Sequence, residues 1–206
     1  RTWLFRPDGD PSAAAWGYIE DGEREGVHRA YKCRVREPWW RTPIVPPADL
    51  FVTYMNSDTP RLAPNGAGVH HLNSVHGLYL WPALSRRAAA LLPIASLNSM
   101  TLVGAETVGR AYGGGMLKLE PREADSLPVP SPGFVERNAD RLAALEAKVL
   151  DELAGGRLVD AVRLVDQALL RAGLGLSGPQ VESLQSAHAG LAARRKARGR
   201  STGGRR

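Results

Sequence analysis

The sequence predicts an α+β fold, in which a small mixed or antiparallel sheet packs with helices and is followed by a C-terminal helical appendage. Short runs rich in β-branched and aromatic residues, bounded by proline, glycine and asparagine, recur between residues 49 and 80 and are typical of strands. Apolar residues at helical spacing begin after Ser85 and dominate beyond Pro132. The 206 residues suffice for one good core and a smaller helical unit.

The first half of the chain predicts one helix and then strands. Residues 10–12 (Asp-Pro-Ser) offer capping side chains and a first-turn proline, so a helix is predicted over 13–25. A buried strand is predicted over 49–55 and another over 76–80. Two short strands, over 61–63 and 69–72, are predicted to flank the turn at Asn65-Gly66.

The second half predicts mostly helices. One or two helices are predicted over 85–110, broken near Pro93 or at 97–99. A glycine triplet then precedes a short strand over 116–119 and a helix of one or two turns that begins at Pro121.

The proline-rich step at 128–132 is the best boundary in the sequence. It predicts a main domain over 1–132 and a helical appendage over 133–191, with helices at 138–153, 158–172 and 178–195. Because no large apolar residue follows Leu191, residues 192–206 are predicted to be a basic disordered tail.

The positive charge is unevenly distributed. A net charge of +6 and a pI near 9.9 are typical of nucleic-acid-binding proteins. Of the 27 lysines and arginines, seven follow His188 without any acid, which leaves 20 basic against 21 acidic residues elsewhere. A second basic region lies within 24–41, where the acids are Glu25 and Glu37. The two basic regions therefore need separate explanations.

Other general features restrict the class of protein. Cys33 is the single cysteine, which excludes an intrachain disulfide, and a partly buried structural thiol is favoured over a nucleophile. No run approaches the roughly 18 apolar residues of a membrane span, and no leader peptide is recognisable. A cytoplasmic protein without membrane contact is predicted. The start at Arg1 rather than Met predicts a piece of a longer protein.

The sequence predicts no catalytic, metal or cofactor site in this chain. His70, His71 and His76 lack a further ligand at metal-binding spacing, so surface or hydrogen-bonded histidines are favoured. The glycine triplet at 113–115 lacks the pattern of a phosphate loop. It predicts a sharp turn, or a close approach of the backbone to a bulky partner such as a DNA backbone.

The segment 31–40 combines basic and aromatic side chains. An extended backbone would place Lys32, Arg34 and Arg36 on one side, where they could neutralise phosphates or bond guanine edges. Trp39 and Trp40 could pack against sugar or base. The alternative is a solvated basic strand anchored by two core tryptophans.

These segments, in this order, resemble a known family. Tyr31-Lys32-Cys33-Arg34 with Pro38-Trp39, and the run from Tyr112 to Pro121, are similar to the Taq-like C-terminal specificity region of bacterial adenine-N6 DNA methyltransferases from restriction–modification systems. The second run is also similar to specificity subunits of type I restriction systems. The resemblance covers residues 1–132.

The resemblance implies a two-part enzyme. One domain binds S-adenosylmethionine and methylates an adenine flipped out of the duplex, and the other grips the double-stranded DNA. The catalytic half carries an Asn-Pro-Pro-Tyr-like motif or its Asp variant and a glycine-rich cofactor loop, and this sequence contains neither. Residues 1–132 are therefore expected to be a DNA target-recognition domain that serves a catalytic domain in cis or in trans.

The resemblance also assigns candidate DNA contacts by position. Asn73 and His76 have the chemistry to bond base edges, whereas lysines and arginines on phosphates add affinity but little sequence choice. The glycine triplet would shape the turn. The candidates are Lys32, Arg34, Arg36, Trp39, Trp40, Arg61, Asn73, His76, Tyr112, Gly113, Gly114, Gly115 and Lys118.

Two other functions stay open at this point. The first is a specificity subunit acting in trans, although such proteins normally hold two recognition domains separated by long coiled coils. The second is a helical protein–protein adaptor with an incidental basic tail. The adaptor would show no binding to duplex DNA once residues 192–206 are removed.

Overall fold

The computed structural model describes residues 4–81 and 85–201. Its contacts divide the chain into two compact units, residues 1–46 and residues 47–206. The predicted α+β class is confirmed, because the described residues form helices and two small antiparallel sheets.

The first unit is built from short helices. Helix α1 (Ala13–Arg24) begins as predicted, since the Ser12 hydroxyl accepts a hydrogen bond from the Ala15 amide. A 3₁₀ turn (Val27–Arg29) and the four-residue helix α2 (Tyr31–Arg34) follow.

The second unit contains both sheets. Its strands are β1 (Leu50–Thr53), β2 (Met55–Asn56), β3 (Leu62–Pro64), β4 (Val75–Leu78), β5 (Arg110–Tyr112) and β6 (Met116–Lys118). The first sheet has the order β3-β1-β4 and the second has the order β2-β6-β5. Tyr54 lies between β1 and β2 and joins the sheets, because its carbonyl accepts from the Leu119 amide at 3.0 Å.

Strand β1 is the central strand of the first sheet. Its buried residues Leu50 and Val52 alternate with half-buried ones, as expected for a strand with one face on a core. It pairs antiparallel with β3 and with β4, so Val52 lies opposite Leu62 on one side and His76 on the other. The predicted strand over 69–72 was wrong. Those residues form a loop, and β3 pairs with β1 instead of with them.

The helices of the second unit surround these sheets. They are α3 (Arg86–Ala95), α4 (Ser99–Val108), α5 (Pro121–Asp125), α6 (Pro132–Arg137), α7 (Ala139–Ala154), α8 (Leu158–Val165) with a π-helical extension (Asp166–Arg171), and α9 (Gly178–Ser201). Pro93 stays inside α3, and the break falls before α4, where the Asn98 side chain accepts from the Thr101 amide. Among the described residues no single helix is long and apolar enough to span a membrane; α3 and α4 pass that test only together, bent by 73°.

One apolar core runs through the second unit. Leu50 of the sheet, Leu92 of α3, Leu127, Leu142 of α7 and Val165 of α8 all belong to it. The proline-rich step at 128–132 therefore does not separate a helical appendage from the body. Composition changes there because strands and helices both precede the step, whereas the described residues after it form helices; the core continues on both sides.

The C-terminal helix corrects the predicted tail. α9 continues through Ser201, so the expectation of disorder from residue 192 was wrong for the part of the tail that the structure describes. The final residues, 202–206, lie outside the described residues. The reason is visible on the inner side of the helix, where Arg195 is 4% exposed and replaces a large apolar residue as the buried anchor.

His188, also on α9, gives the fold a predicted pH dependence. Burial lowers the pKa of its imidazole, with Glu106 and Asp166 opposing the shift and Arg195 and Lys196 adding to it. The unfolded chain then binds the proton more readily, so the free energy of unfolding should fall as the pH drops through about 6.5. Denaturant unfolding at pH 7.5 and pH 5 measures this fall, which should be smaller for His188→Gln. An equal fall in both proteins would assign the dependence to other groups.

Candidate nucleic-acid interface

The basic segment of the first unit is helical, so its predicted extended arrangement was wrong. Lys32 and Arg34 lie on α2 and are both exposed, but residues two apart on a helix do not share a face. Arg36 is half-buried and lines a pocket with Cys33 and Trp39. Cys33 is itself half-buried, as its interpretation as a structural thiol requires. Lys32 and Arg34 are the two cations of this segment that project most freely to solvent.

Trp39 and Trp40 pack within the first unit. The Trp39 indole N–H donates to Glu23 of α1 at 2.9 Å. The Trp40 ring makes edge contacts with Trp16 and Phe5, both at 6.4 Å between centroids. This geometry favours the core interpretation of the two tryptophans, and their contact with DNA stays a prediction.

A groove on the second unit collects two of the predicted base contacts. It measures about 590 Å³ and is lined by Val52, residues 71–73, residues 75–79, Pro121, Ala124 and Asp125. Asn73 lies exposed in the loop before β4 and belongs to the lining of the groove. His76 lines the same groove from the strand itself and is half-buried.

His76 and Asn73 differ in the hydrogen bonds that their side chains can offer to DNA. The His76 Nε2 atom lies 2.7 Å from the Leu119 carbonyl, and because a carbonyl only accepts, Nε2 must donate. The ring also stands edge-on to Tyr54 at 5.2 Å. His76 therefore ties the two sheets together and keeps only Nδ1 for another partner. Asn73 is exposed, and its side-chain amide can both donate and accept, as bidentate bonding to a base requires.

Lys118 is enclosed rather than presented to solvent. Its ammonium lies 2.6 Å from Glu120 and between the rings of Tyr54 and Tyr112, at 5.2 and 5.0 Å from their centroids. The side chain is 19% exposed. The hydrogen bond to Glu120 raises the pKa of Lys118 and lowers that of Glu120, so the two charges offset each other. Tyr112, by contrast, is 57% exposed.

Arg61 is also balanced by a neighbouring acid. Its guanidinium forms an ion pair with Asp58 at 2.5 Å, and its backbone N–H donates to the Thr53 hydroxyl at 2.9 Å. Both side chains of the ion pair are about 40% exposed (40% and 43%). A phosphate would have to compete with Asp58 for this arginine.

The glycine triplet forms a sharp turn, as predicted. Gly114 and Gly115 have φ values of 71° and 76°, in the left-handed region that favours glycine. The bulky partner of this turn is the chain's own helix α9: a Cβ on Gly115 would lie 3.0 Å from the Lys196 Cα, and one on Gly199 would overlap the backbone of Gly115. Gly113 and Gly114 are exposed on the outer side of the turn.

Arg195 fastens α9 to this turn. Its guanidinium forms a two-pronged pair with the Glu106 carboxylate, Nε to Oε2 at 2.9 Å and Nη2 to Oε1 at 2.8 Å. It also donates to the carbonyls of Gly115 and of Asp58, the latter at 3.0 Å. The side chains of Arg195 and Glu106 are 4% and 3% exposed, so the pair is buried.

Comparison with known proteins now decides the family. The family model of the C-terminal domain of the Type II methyltransferase M.Eco57I matches residues 1–170. The chain belongs to this family. The predicted resemblance to the C-terminal region of a restriction–modification methyltransferase is thereby confirmed.

A curated relative supports this membership in the C-terminal methyltransferase family. The Type II methyltransferase M.XamI of Xanthomonas campestris pv. amaranthicola is 34% identical over 114 residues, which cover 55% of this chain and 21% of that protein. The chain thus matches about a fifth of the relative's length. No solved structure matches it.

Members of the interface that sequence reasoning missed come from all sides of the glycine turn. Tyr54 and Glu120 enclose Lys118, but nothing in their spacing indicates that contact, since Tyr54 is far from β6 in sequence. Arg195 lies in the predicted basic tail, because no large apolar residue follows Leu191. The repeat of His188, Arg195 and Gly199 along one side of α9 was the available signal.

Proposed function

We propose that this chain is the DNA target-recognition region of an S-adenosylmethionine-dependent adenine-N6 DNA methyltransferase. Methyl transfer belongs to a separate catalytic domain, which supplies the cofactor site and the reacting groups. This chain holds duplex DNA so that the right adenine is presented after it leaves the stack. Such an enzyme acts in the cytoplasm, where bacterial DNA lies.

The observation that carries the proposal is the exposed Asn73 in the lining of the groove, in a chain of this methyltransferase family. An exposed amide can donate and accept at once, which matches the N6 and N7 edge of adenine. His76 serves mainly as the support of the groove, because its Nε2 donates to Leu119. Lys32 and Arg34 of α2 are proposed as phosphate contacts, which give affinity rather than sequence choice.

Selection from a library of random duplexes tests recognition directly. The 206-residue chain is incubated with duplexes that contain a randomised segment, and bound DNA is amplified and sequenced over several rounds. We expect enrichment of one defined motif. Binding without any enrichment relative to the input library would contradict the proposed function, and would favour a non-specific or adaptor role.

Asn73→Ala is predicted to relax the preference at one base pair of that motif. Loss of a bidentate base contact should reduce discrimination there by about 1–3 kcal/mol, with little change at other positions. Fluorescence anisotropy with every single-base variant of the motif measures this. Ser74→Ala, an exposed neighbour in the same loop, is the matched control and should keep the full preference. Equal weakening on all duplexes would instead make Asn73 a phosphate or scaffold contact.

The methylation part of the proposal is tested on the enzyme in which this region acts, with the catalytic domain supplied in cis or in trans. Duplexes with the selected motif are incubated with S-adenosylmethionine, digested to nucleosides and separated by chromatography. N6-methyl-2′-deoxyadenosine is the expected product. A methylated cytosine would overturn the adenine assignment and leave recognition by this chain standing.

A further inference from the structure

Helix α9 lies entirely beyond the part of the chain that the family model covers. That match ends at residue 170, whereas α9 runs from Gly178 to Ser201. Its last turns contain Arg194, Arg195, Lys196 and Arg198, and no acid follows Glu182. The helix is therefore an addition to the matched region that carries a concentrated positive charge.

The position of this charge is fixed by contacts in the second unit. Arg195 is buried against Glu106, whose carboxylate neutralises its charge. Successive residues of a helix are about 100° apart, so Arg194 and Lys196 diverge to either side of Arg195 and both are exposed. Lys196 borders the glycine turn, since its Cα would lie 3.0 Å from a Cβ on Gly115.

The turn beside Lys196 leaves room for a close partner. Gly113 and Gly114 are exposed, and a Cβ on either would find no atom within 4 Å among the described residues. Tyr112, 57% exposed, continues the same edge. We call Tyr112, Gly113, Gly114 and Lys196 the glycine-turn face.

Three other cations of the second unit are already paired with acids. Lys118 is held by Glu120, Arg61 by Asp58, and Arg110 by Glu123 at 2.5 Å. A polyanion that approaches the glycine-turn face would therefore meet the charges of α9 first.

We propose that α9 binds phosphates of duplex DNA through Arg194 and Lys196, beside the glycine-turn face. This inference rests on the proposed function and deepens it: α9 supplies affinity for any sequence, while the groove at Asn73 supplies the choice of sequence. A structural alternative is that these cations only complement the negative end of the helix dipole, which stabilises a helix by about 0.3–1 kcal/mol per charge.

The test compares two double variants of the full chain on a labelled duplex of random sequence. Arg194→Ala/Lys196→Ala removes the proposed contacts. Lys148→Ala/Arg171→Ala removes the same charge elsewhere: Lys148 is exposed on α7, and Arg171 ends the π-helical extension of α8, with its guanidinium beside Gly178 at the start of α9. Gly178 is at the opposite end of α9, about 27 Å from Lys196 by the helical rise.

We expect Arg194→Ala/Lys196→Ala to weaken binding roughly 10- to 30-fold near 0.15 M salt and to reduce the slope of log K against log salt by about 1.8, as the loss of two phosphate contacts requires. The control variant should keep both values. The selected motif should stay the same in both, and thermal unfolding of the two variants should be similar.

The outcomes separate this inference from the proposed function. Unchanged affinity and salt slope in Arg194→Ala/Lys196→Ala would overturn the inference, while an enriched motif would still support recognition. Equal losses in both variants would overturn it too, because a general effect of net charge explains them. Loss of binding to phosphatidylserine vesicles with unchanged duplex affinity would assign the surface to lipid and overturn it. A wild-type chain that binds every duplex equally, through α9, would support the inference and contradict the proposed function.

Discussion

Arg195→Ala is expected to lower the free energy of unfolding by about 3–5 kcal/mol, the range found when one partner of a buried ion pair is removed. The substitution leaves the Glu106 carboxylate, 3% exposed, without its guanidinium. It also deprives the carbonyls of Gly115 and Asp58 of a donor. Denaturant unfolding followed by circular dichroism measures the change.

The neighbouring arginine supplies the control for this prediction. Arg194→Ala removes the same side chain from an exposed position of the same helix and should change stability by less than about 0.5 kcal/mol. The double variant Glu106→Leu/Arg195→Met should recover most of the loss, because an apolar pair of similar size no longer leaves a buried charge. Equal stabilities of Arg194→Ala and Arg195→Ala would show that the buried pair does not form in solution.

The buried pair of Arg195 and Glu106 determines which variants can test the basic tail. Deletion of residues 192–206 would remove the basic tail, but it would also remove Arg195 and leave the buried Glu106 carboxylate without its partner. A truncated chain that fails to bind DNA would then reflect a damaged fold. Substituting the exposed Arg194 and Lys196 removes charge without touching the buried pair.

Local signals in the sequence predicted much of the secondary structure. The side chains of Ser12 and Asn98 accept hydrogen bonds from backbone amides in the first turns of α1 and α4. Serine and asparagine are residue types that favour this capping position. The glycine triplet predicted the turn, since two of its residues require positive φ. These features depend on residues close in the chain, which is why a single sequence reveals them.

Long-range features were beyond local reasoning. The partner of the glycine turn is α9, about eighty residues further on, and Arg195 donates across that separation to Gly115. Alternation of Lys32, Arg34 and Arg36 predicted a strand, but without a partner strand to pair with, the segment at α2 closes into a helical turn. For the candidate site, the sequence predicted Asn73 and His76 together as base contacts. The structure separates their roles, because His76 bonds the Leu119 carbonyl and supports the groove, whereas Asn73 is exposed.

Asp166 is the second residue whose loss should strongly affect the fold. Its side chain is fully buried and accepts three hydrogen bonds: from the Ser99 amide at 2.8 Å, the Ser99 hydroxyl at 2.6 Å and the Gln185 side chain at 2.8 Å. Ser99 is the first residue of α4, so the carboxylate lies at the positive end of that helix. One side chain thus joins α4, the π-helical extension of α8, and α9.

Asp166→Ala should lower the free energy of unfolding by about 3 kcal/mol, because each donor left buried without an acceptor costs about 1–3 kcal/mol and the buried carboxylate's own desolvation is relieved. Thermal and denaturant unfolding measure it. Asp160→Ala, which removes an exposed carboxylate paired with Arg163 at 3.2 Å, is the control and should change stability by less than about 1 kcal/mol. Adding Ser99→Ala to Asp166→Ala should cause less further loss than Ser99→Ala causes alone, since the shared bond is already gone. Strictly additive losses would mean that Asp166 stabilises the fold without bonding Ser99.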